Sequence, residues 1–107
     1  MGKYVIRSSS DGFYFIMLTE TGQVILTSEL YQTLLVCKSA IAQVRINCHI
    51  DTRFELKKTD DNKYYFILKT QGCQVVGISK MYNTVSEIHH AIANVKRNGV
   101  NSQEVEE

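Results

Sequence analysis

The spacing of apolar positions alternates between two periods along the chain. Segments rich in aromatic and β-branched residues, bounded by turn clusters, predict strands at Tyr4–Ser8, Phe13–Thr19 and Val24–Ser28. A second set follows at Phe54–Lys58, Tyr64–Thr70 and Val75–Ser79. After each set the period lengthens. Cys37, Ala40, Ile41 and Val44 stand at i, i+3, i+4 and i+7, as do Ile88, Ala91, Ile92 and Val95, so each group predicts a helix with one apolar stripe. Thr33 and Thr84 occupy N-cap positions, and Thr84-Val85-Ser86-Glu87 forms a capping box that the first helix lacks. Ser9–Gly12 and Thr59–Asn62 predict turns, and Thr21-Gly22 and Gly72-Cys73 predict hairpins in which glycine supplies the positive φ. Asn98-Gly99 predicts a left-handed stop for the second helix, a role Asn47 can play for the first.

The two sets are copies of one another. A shift of 51 residues superposes Phe13–Asn47 on Tyr64–Asn98 with 14 identities, among them Phe15/Phe66, Ile16/Ile67, Ser28/Ser79, Tyr31/Tyr82, Thr33/Thr84, Ile41/Ile92 and Asn47/Asn98. Ordinary composition would give about 2 by chance. Tyr4-Val5-Ile6 matches Phe54-Glu55-Leu56 at a shift of 50. The chain is therefore a tandem repeat of a strand–strand–strand–helix unit. The expected organisation is one domain over residues 1–100, with repeats at about 3–48 and 53–100. Residues 101–107 are polar and acidic and are predicted to be a disordered tail.

At 107 residues and 44% hydrophobic composition, such a unit pair can bury a core without metal or disulfide staples. A net charge of +1 supplies no bulk attraction to nucleic acid or membrane. Three cysteines without CxxC spacing argue against a disulfide framework or structural zinc. With no apolar leader or membrane-length run, the expected location is the cytoplasm.

Phe54-Glu55-Leu56 followed by Tyr64-x-Phe66-x-Leu68, Ser79, Tyr82 and the helix resembles the repeat of the YegP-like proteins. So does Phe13-x-Phe15-x-Met17 with Gly22–Ile25, Thr27-Ser28-Glu29 and Tyr31. These are small, mostly bacterial proteins of unknown function. The resemblance runs from Tyr4 to about Asn98. It implies an α+β fold in which two tandem βββα repeats form one antiparallel sheet with both helices on one face. It also implies a strand after each helix, a role that falls to the segment around His49–Arg53 and to Val100 onward. It brings no catalytic residues.

Strand alternation assigns Phe13, Phe15 and Met17, with Tyr64, Phe66 and Leu68, to the helix-packed core. The opposite face then carries Tyr14, Ile16 and Leu18 with Tyr65, Ile67 and Lys69. A solvated face should be polar, and the family resemblance implies a charged one, but here it is largely apolar. Tyr14, Ile16, Leu18, Tyr65 and Ile67 are the candidate interaction surface, an open patch on the order of several hundred Å² facing a second copy or another protein. Strand propensity alone also tolerates some exposed aromatics. An alternative is single-stranded nucleic acid stacked on Tyr14 and Tyr65 with Arg7, Lys57 and Lys69 near phosphates.

Other chemistry-bearing residues have structural explanations. His89 and His90 diverge by about 100° on a helix and replace Lys38 and Ser39, so they predict no metal site. Cys37 matches Ile88 and belongs to the core, Cys73 sits exposed at a turn, and Cys48 follows a helix end. Asp11, Asp60 and Asp61 stabilise turns. Arg45, Lys96 and Arg97 complement helix dipoles. The sequence thus predicts no catalytic residue, no cofactor and no metal ligand, and a binding module rather than an enzyme.

Overall fold

Each half of the chain folds as three strands and a helix, because the alternating segments pair locally and the helical stripe needs an apolar face to cover. The computed structural model describes residues 2–107. The first half contains β1 (Lys3–Ser9), β2 (Gly12–Leu18), β3 (Val24–Thr27) and α1 (Leu34–Asn47). A 3₁₀ turn at Asp51–Arg53 leads to β4 (Phe54–Lys58), β5 (Tyr64–Lys69), β6 (Val75–Ile78) and α2 (Val85–Gly99), followed by β7 (Gln103–Glu106). All seven strands form one sheet in the order β4-β5-β6-β3-β2-β1-β7.

The halves join where β3 meets β6, antiparallel, with Thr27 opposite Ile78. These two residues occupy the same position in their copies, so a pseudo-twofold axis passes through the pair. Each helix straddles this seam: α1 packs on β2 and β6, α2 on β3 and β5. One core results, drawing on Phe15, Met17, Leu26, Phe66 and Leu68 from the sheet and on Cys37, Ile41, Val44, Ile88 and Val95 from the helices. Beside the axis the symmetry gives way. Leu26 and Gly77 are counterparts, and a Cβ on Gly77 would lie 2.5 Å from the Leu26 side chain. The space holds one leucine, so its partner is glycine.

Several residues shared by the copies serve this framework. The hydroxyls of Ser28 and Ser79 accept from the backbone N–H of Phe15 and Phe66, each at 2.9 Å, and donate to the carbonyls of Glu29 and Lys80. Tyr31 and Tyr82 bridge backbone to Phe13 and Tyr64. Thr33 and Thr84 cap their helices, with the reciprocal Glu87 bond on α2 alone.

Five expectations are corrected. The segment around His49–Arg53 makes a 3₁₀ turn and no strand of its own. The sheet is mixed rather than antiparallel, because β7 runs parallel to β1. For the same reason residues 101–107 are not a disordered tail. Glu104 pairs with Arg45, Glu106 with Lys38 and Glu107 with Arg7, at 3.4, 2.7 and 2.8 Å. The Arg45 guanidinium also donates to the carbonyls of Val100 and Ser102. Neither helix ends on a left-handed residue, since Cys48 and Val100 are both right-handed. Asn47 and Asn98 instead turn their side-chain amides back to the carbonyls of Gln43 and Asn94. Gly99 is small for packing: a Cβ there would lie 2.5 Å from the Cys48 sulfur. Finally, the β5–β6 hairpin places its positive φ on Cys73, at 65°, where the first copy has Gly22 at 85°.

Two stability outcomes follow. Gly77→Ala should cost about 1–3 kcal/mol by overpacking, and Leu26→Ala about 2–5 kcal/mol by opening a cavity. The double variant should cost clearly less than their sum, with coupling of roughly 1 kcal/mol or more in chemical denaturation. Additive losses would show that the two residues do not compete for one space. Cys73→Gly should relieve the left-handed penalty and raise stability by about 1 kcal/mol, near 4 °C in thermal melts under reducing conditions.

Candidate functional site on the helix-free sheet face

Cross-strand pairing turns the outward residues into rows. The central row runs Val105, Val5, Ile16, Thr27, Ile78, Ile67, Glu55, one residue from each strand. Six strands pass before a charge appears. The flanking positions carry Tyr14 beside Arg7 and Tyr65 beside Lys57, then Leu18 between Lys3 and Val24, and Lys69 beside Val75. Charge is thus confined to the rim.

The face is less open than strand alternation suggests. Ile16 is only 6% exposed and Val5 1%, since row neighbours flank each outward side chain on both sides. Tyr14, Leu18, Tyr65 and Ile67 are half-buried, and Ile78 at 38% is the most exposed apolar residue of the central row. Ile16 and Ile67 therefore share one row, whereas Tyr14 and Tyr65 sit at opposite corners. Three strand spacings across and four residues along separate them by roughly 20 Å. They make no common stacking platform. Val5, Thr27, Ile78 and Val105 belong to the surface although the sequence reading did not include them. Alternation along β1 could have found Val5. Ile78 was hidden by register shifts after Met17 and Leu68, and Val105 by the acidic residues around it.

The remaining candidates are dispersed. Cys37 and Cys48 are fully buried, and burial pushes both thiols up. Cys73 is exposed, as are His49, His89 and His90. Among the described residues no three His, Cys, Asp or Glu side chains converge as metal ligands, and no helix is long and apolar enough to cross a membrane. A separate apolar strip lies on the solvent side of α1, where Leu35 is 75% exposed and Ile46 also faces water. The α2 counterparts are Ser86 and Arg97.

Glu55 closes the central row under two ammonium groups, Lys57 at 2.7 Å and Lys69 at 2.6 Å. The Lys57 contact, then that of Lys69, holds its carboxyl down at about 2. A depressed carboxyl pKa contributes stability that is complete above the unfolded value of about 4.3 and is lost as pH falls toward 2. Carboxyl-carbon NMR titration should give a Glu55 midpoint near 2, returning to about 4 when Lys57 and Lys69 are both replaced by alanine. A midpoint near 4 in the unaltered protein would mean that the clamp is absent in solution.

Comparison with known proteins places these features in a family. A family model described as a domain of unknown function (DUF1508) matches the chain twice, over residues 8–55 and 60–106. The chain is 40% identical over 93 residues to the UPF0339 protein YegP of Escherichia coli K12, covering 87% of this chain and 84% of that protein. With the UPF0339 protein YegP of Yersinia pestis it shares 32% over 103 residues, 95% and 92% of the two chains. The solution NMR structure of yegP from E. coli, described as a protein of unknown function, superposes with a TM-score of 0.93 at 37% identity, over 98% of this chain and 91% of that one. The solution NMR structure of UPF0339 protein SO3888 from Shewanella oneidensis gives the same TM-score at 32% identity, over 98% and 90%. The chain belongs to the YegP-like family of bacterial proteins of unknown function, built from two copies of the DUF1508 domain.

Proposed function

We propose that this protein is a non-enzymatic module that associates with a second copy of itself through the helix-free sheet face. The observation that carries this reading is the central row, apolar or neutral across six strands and closed by charge only at its rim. An apolar centre with a polar rim is the anatomy of a protein interface. The pseudo-twofold axis supports a like partner, because each half of the face presents the same isoleucine and tyrosine. Six strand spacings by about five residues amount to roughly 500 Å² per copy. Twice that lies at the lower edge of specific interfaces and suits a weak, reversible dimer. Two cysteines sealed in the core and a third left unpaired suit a reducing compartment such as the cytoplasm.

Sedimentation equilibrium under reducing conditions should show monomer–dimer exchange with a dissociation constant of roughly 10 μM to 1 mM. Ile67→Lys and Ile78→Lys should each leave a folded monomer. Ile16→Lys is unsuited to this test because Ile16 is buried. A protein that stays monomeric at millimolar concentration would sink the proposal. So would a dimer that survives Ile67→Lys but is lost on Leu35→Lys, which would move the interface to α1.

A further inference from the structure

The pseudo-twofold symmetry breaks at the two sheet edges. β1 and β4 are counterparts, yet β7 covers β1 while no strand of the described residues lies beside β4. The seat of β7 is therefore a template for what the β4 edge can hold. At β1 the carbonyl of Ile6 accepts the Glu107 N–H at 2.9 Å. Glu104 and Glu106 turn to the helix side, toward Arg45 and Lys38 of α1, while Val105 and Glu107 lie on the outer face beside Val5 and Arg7.

Each part of that seat has a counterpart at β4. Arg45, Lys38 and Arg7 correspond to Lys96, His89 and Lys57, all N–H donors. The Arg45 guanidinium lies over the Tyr4 ring, and the Lys96 ammonium lies over Phe54, the counterpart of Tyr4. Ile6 is 2% exposed, but its counterpart Leu56, opposite Phe66 on the helix side, is 46% exposed. Leu56 is an apolar residue in a core position without its cover. Two carboxylates of this chain already meet these cations: Asp51, which is exposed, pairs with Lys96, and Glu55 pairs with Lys57.

We infer that the β4 edge is a docking site for an extended acidic segment of another protein, which adds as an eighth strand parallel to β4. Main-chain bonds to β4 supply affinity, as in other strand-addition complexes. Alternate acidic side chains on the helix side meet Lys96 and His89 and cover Leu56. A free copy of this chain is a poorer occupant. Its own β7 is tethered next to β1 at high effective concentration, so it is not free to add at β4. The outer face adds a selectivity element. Where β7 sets Val105 beside Val5, an incoming strand sets a residue beside Glu55. A basic or neutral polar residue there can donate to the Glu55 carboxylate, so the fitting pattern is acidic, then basic or neutral polar, then acidic.

The test is an amide NMR titration of the full chain with the acetylated, amidated peptide Ser-Gln-Glu-Lys-Glu-Glu. Saturable shifts should centre on Phe54–Lys58 and the α2 segment around Lys96. Affinity should fall at least about tenfold between 50 and 500 mM salt, and again in Lys96→Glu. The peptide with lysines in place of its glutamates should not bind. Ile78→Lys, two strands away from β4, should leave the titration unchanged, which separates this site from the sheet-face dimer. No saturable shift at several millimolar peptide would overturn the inference, as would undiminished binding to Lys96→Glu. Shifts confined to Lys3–Ser9 would overturn it by reporting exchange with β7. Equal shifts from an oligothymidylate would overturn it by reporting generic anion binding.

Discussion

The short seam between β3 and β6 is the constraint on which the rest of the molecule depends. Only the pair Thr27 and Ile78 is in register there, yet every larger feature needs it. A single βββα unit leaves its third strand unpaired on one side, and it lacks the strand of the other unit on which its helix also packs. Joining two units through the third strands closes both deficits, because each helix then lies across the junction. The cost of this arrangement is crowding at the axis, where two equivalent side chains meet. Leu26 against Gly77 resolves it by discarding one of them. A gene duplication that began symmetric must become asymmetric at that point to pack well.

A second asymmetry follows from counting strands. Two units provide six, and the chain continues into a seventh that can lie at only one edge. It lies at β1, where it pairs in parallel and where three glutamates meet three cations, and the Arg45 guanidinium ties down two carbonyls besides. Exposed ion pairs contribute little individually. Here they accompany parallel strand pairing and the burial of Ile6, and the combination orders a segment whose composition alone suggests disorder. The opposite edge has Lys57 and Lys58 on its strand, a common protection against indiscriminate pairing. The same lysines bias any pairing that does occur toward acidic partners.

Local pattern and duplication made much of this fold legible. Strand alternation on β2 and β5 named Phe15, Met17, Phe66 and Leu68 as core, and helical spacing named the stripes of both helices. The threonine caps were readable because a cap is a local contact. What could not be read was set by contacts remote in sequence. The cations that order β7 lie on β1 and α1, about 60 to 100 residues earlier, so Gln103–Glu106 carried no local strand signal. The central row of the sheet face depends on register across the seam and on two bulges, which periodicity does not encode. The left-handed residue at Cys73 was obscured because the neighbouring Gly72 offered a cheaper position for it.

The duplication also sorts residues by role in a way that neither copy could alone. Positions that remain identical, such as Ser28/Ser79, Tyr31/Tyr82, Thr33/Thr84 and Asn47/Asn98, each make the same backbone contact in both halves. They are requirements of the unit. At three positions the copies part where their surroundings differ: Val5 against Glu55, Ile6 against Leu56 and Leu26 against Gly77. At the last pair the difference removes a clash, and at the first it replaces an apolar contact with β7 by a carboxylate clamped between two lysines. Leu56 is the exception, because its surroundings became wet while its side chain stayed apolar. Water alone gives no physical reason to retain an exposed leucine opposite Phe66, and a strand that covers it would restore the burial Ile6 already has.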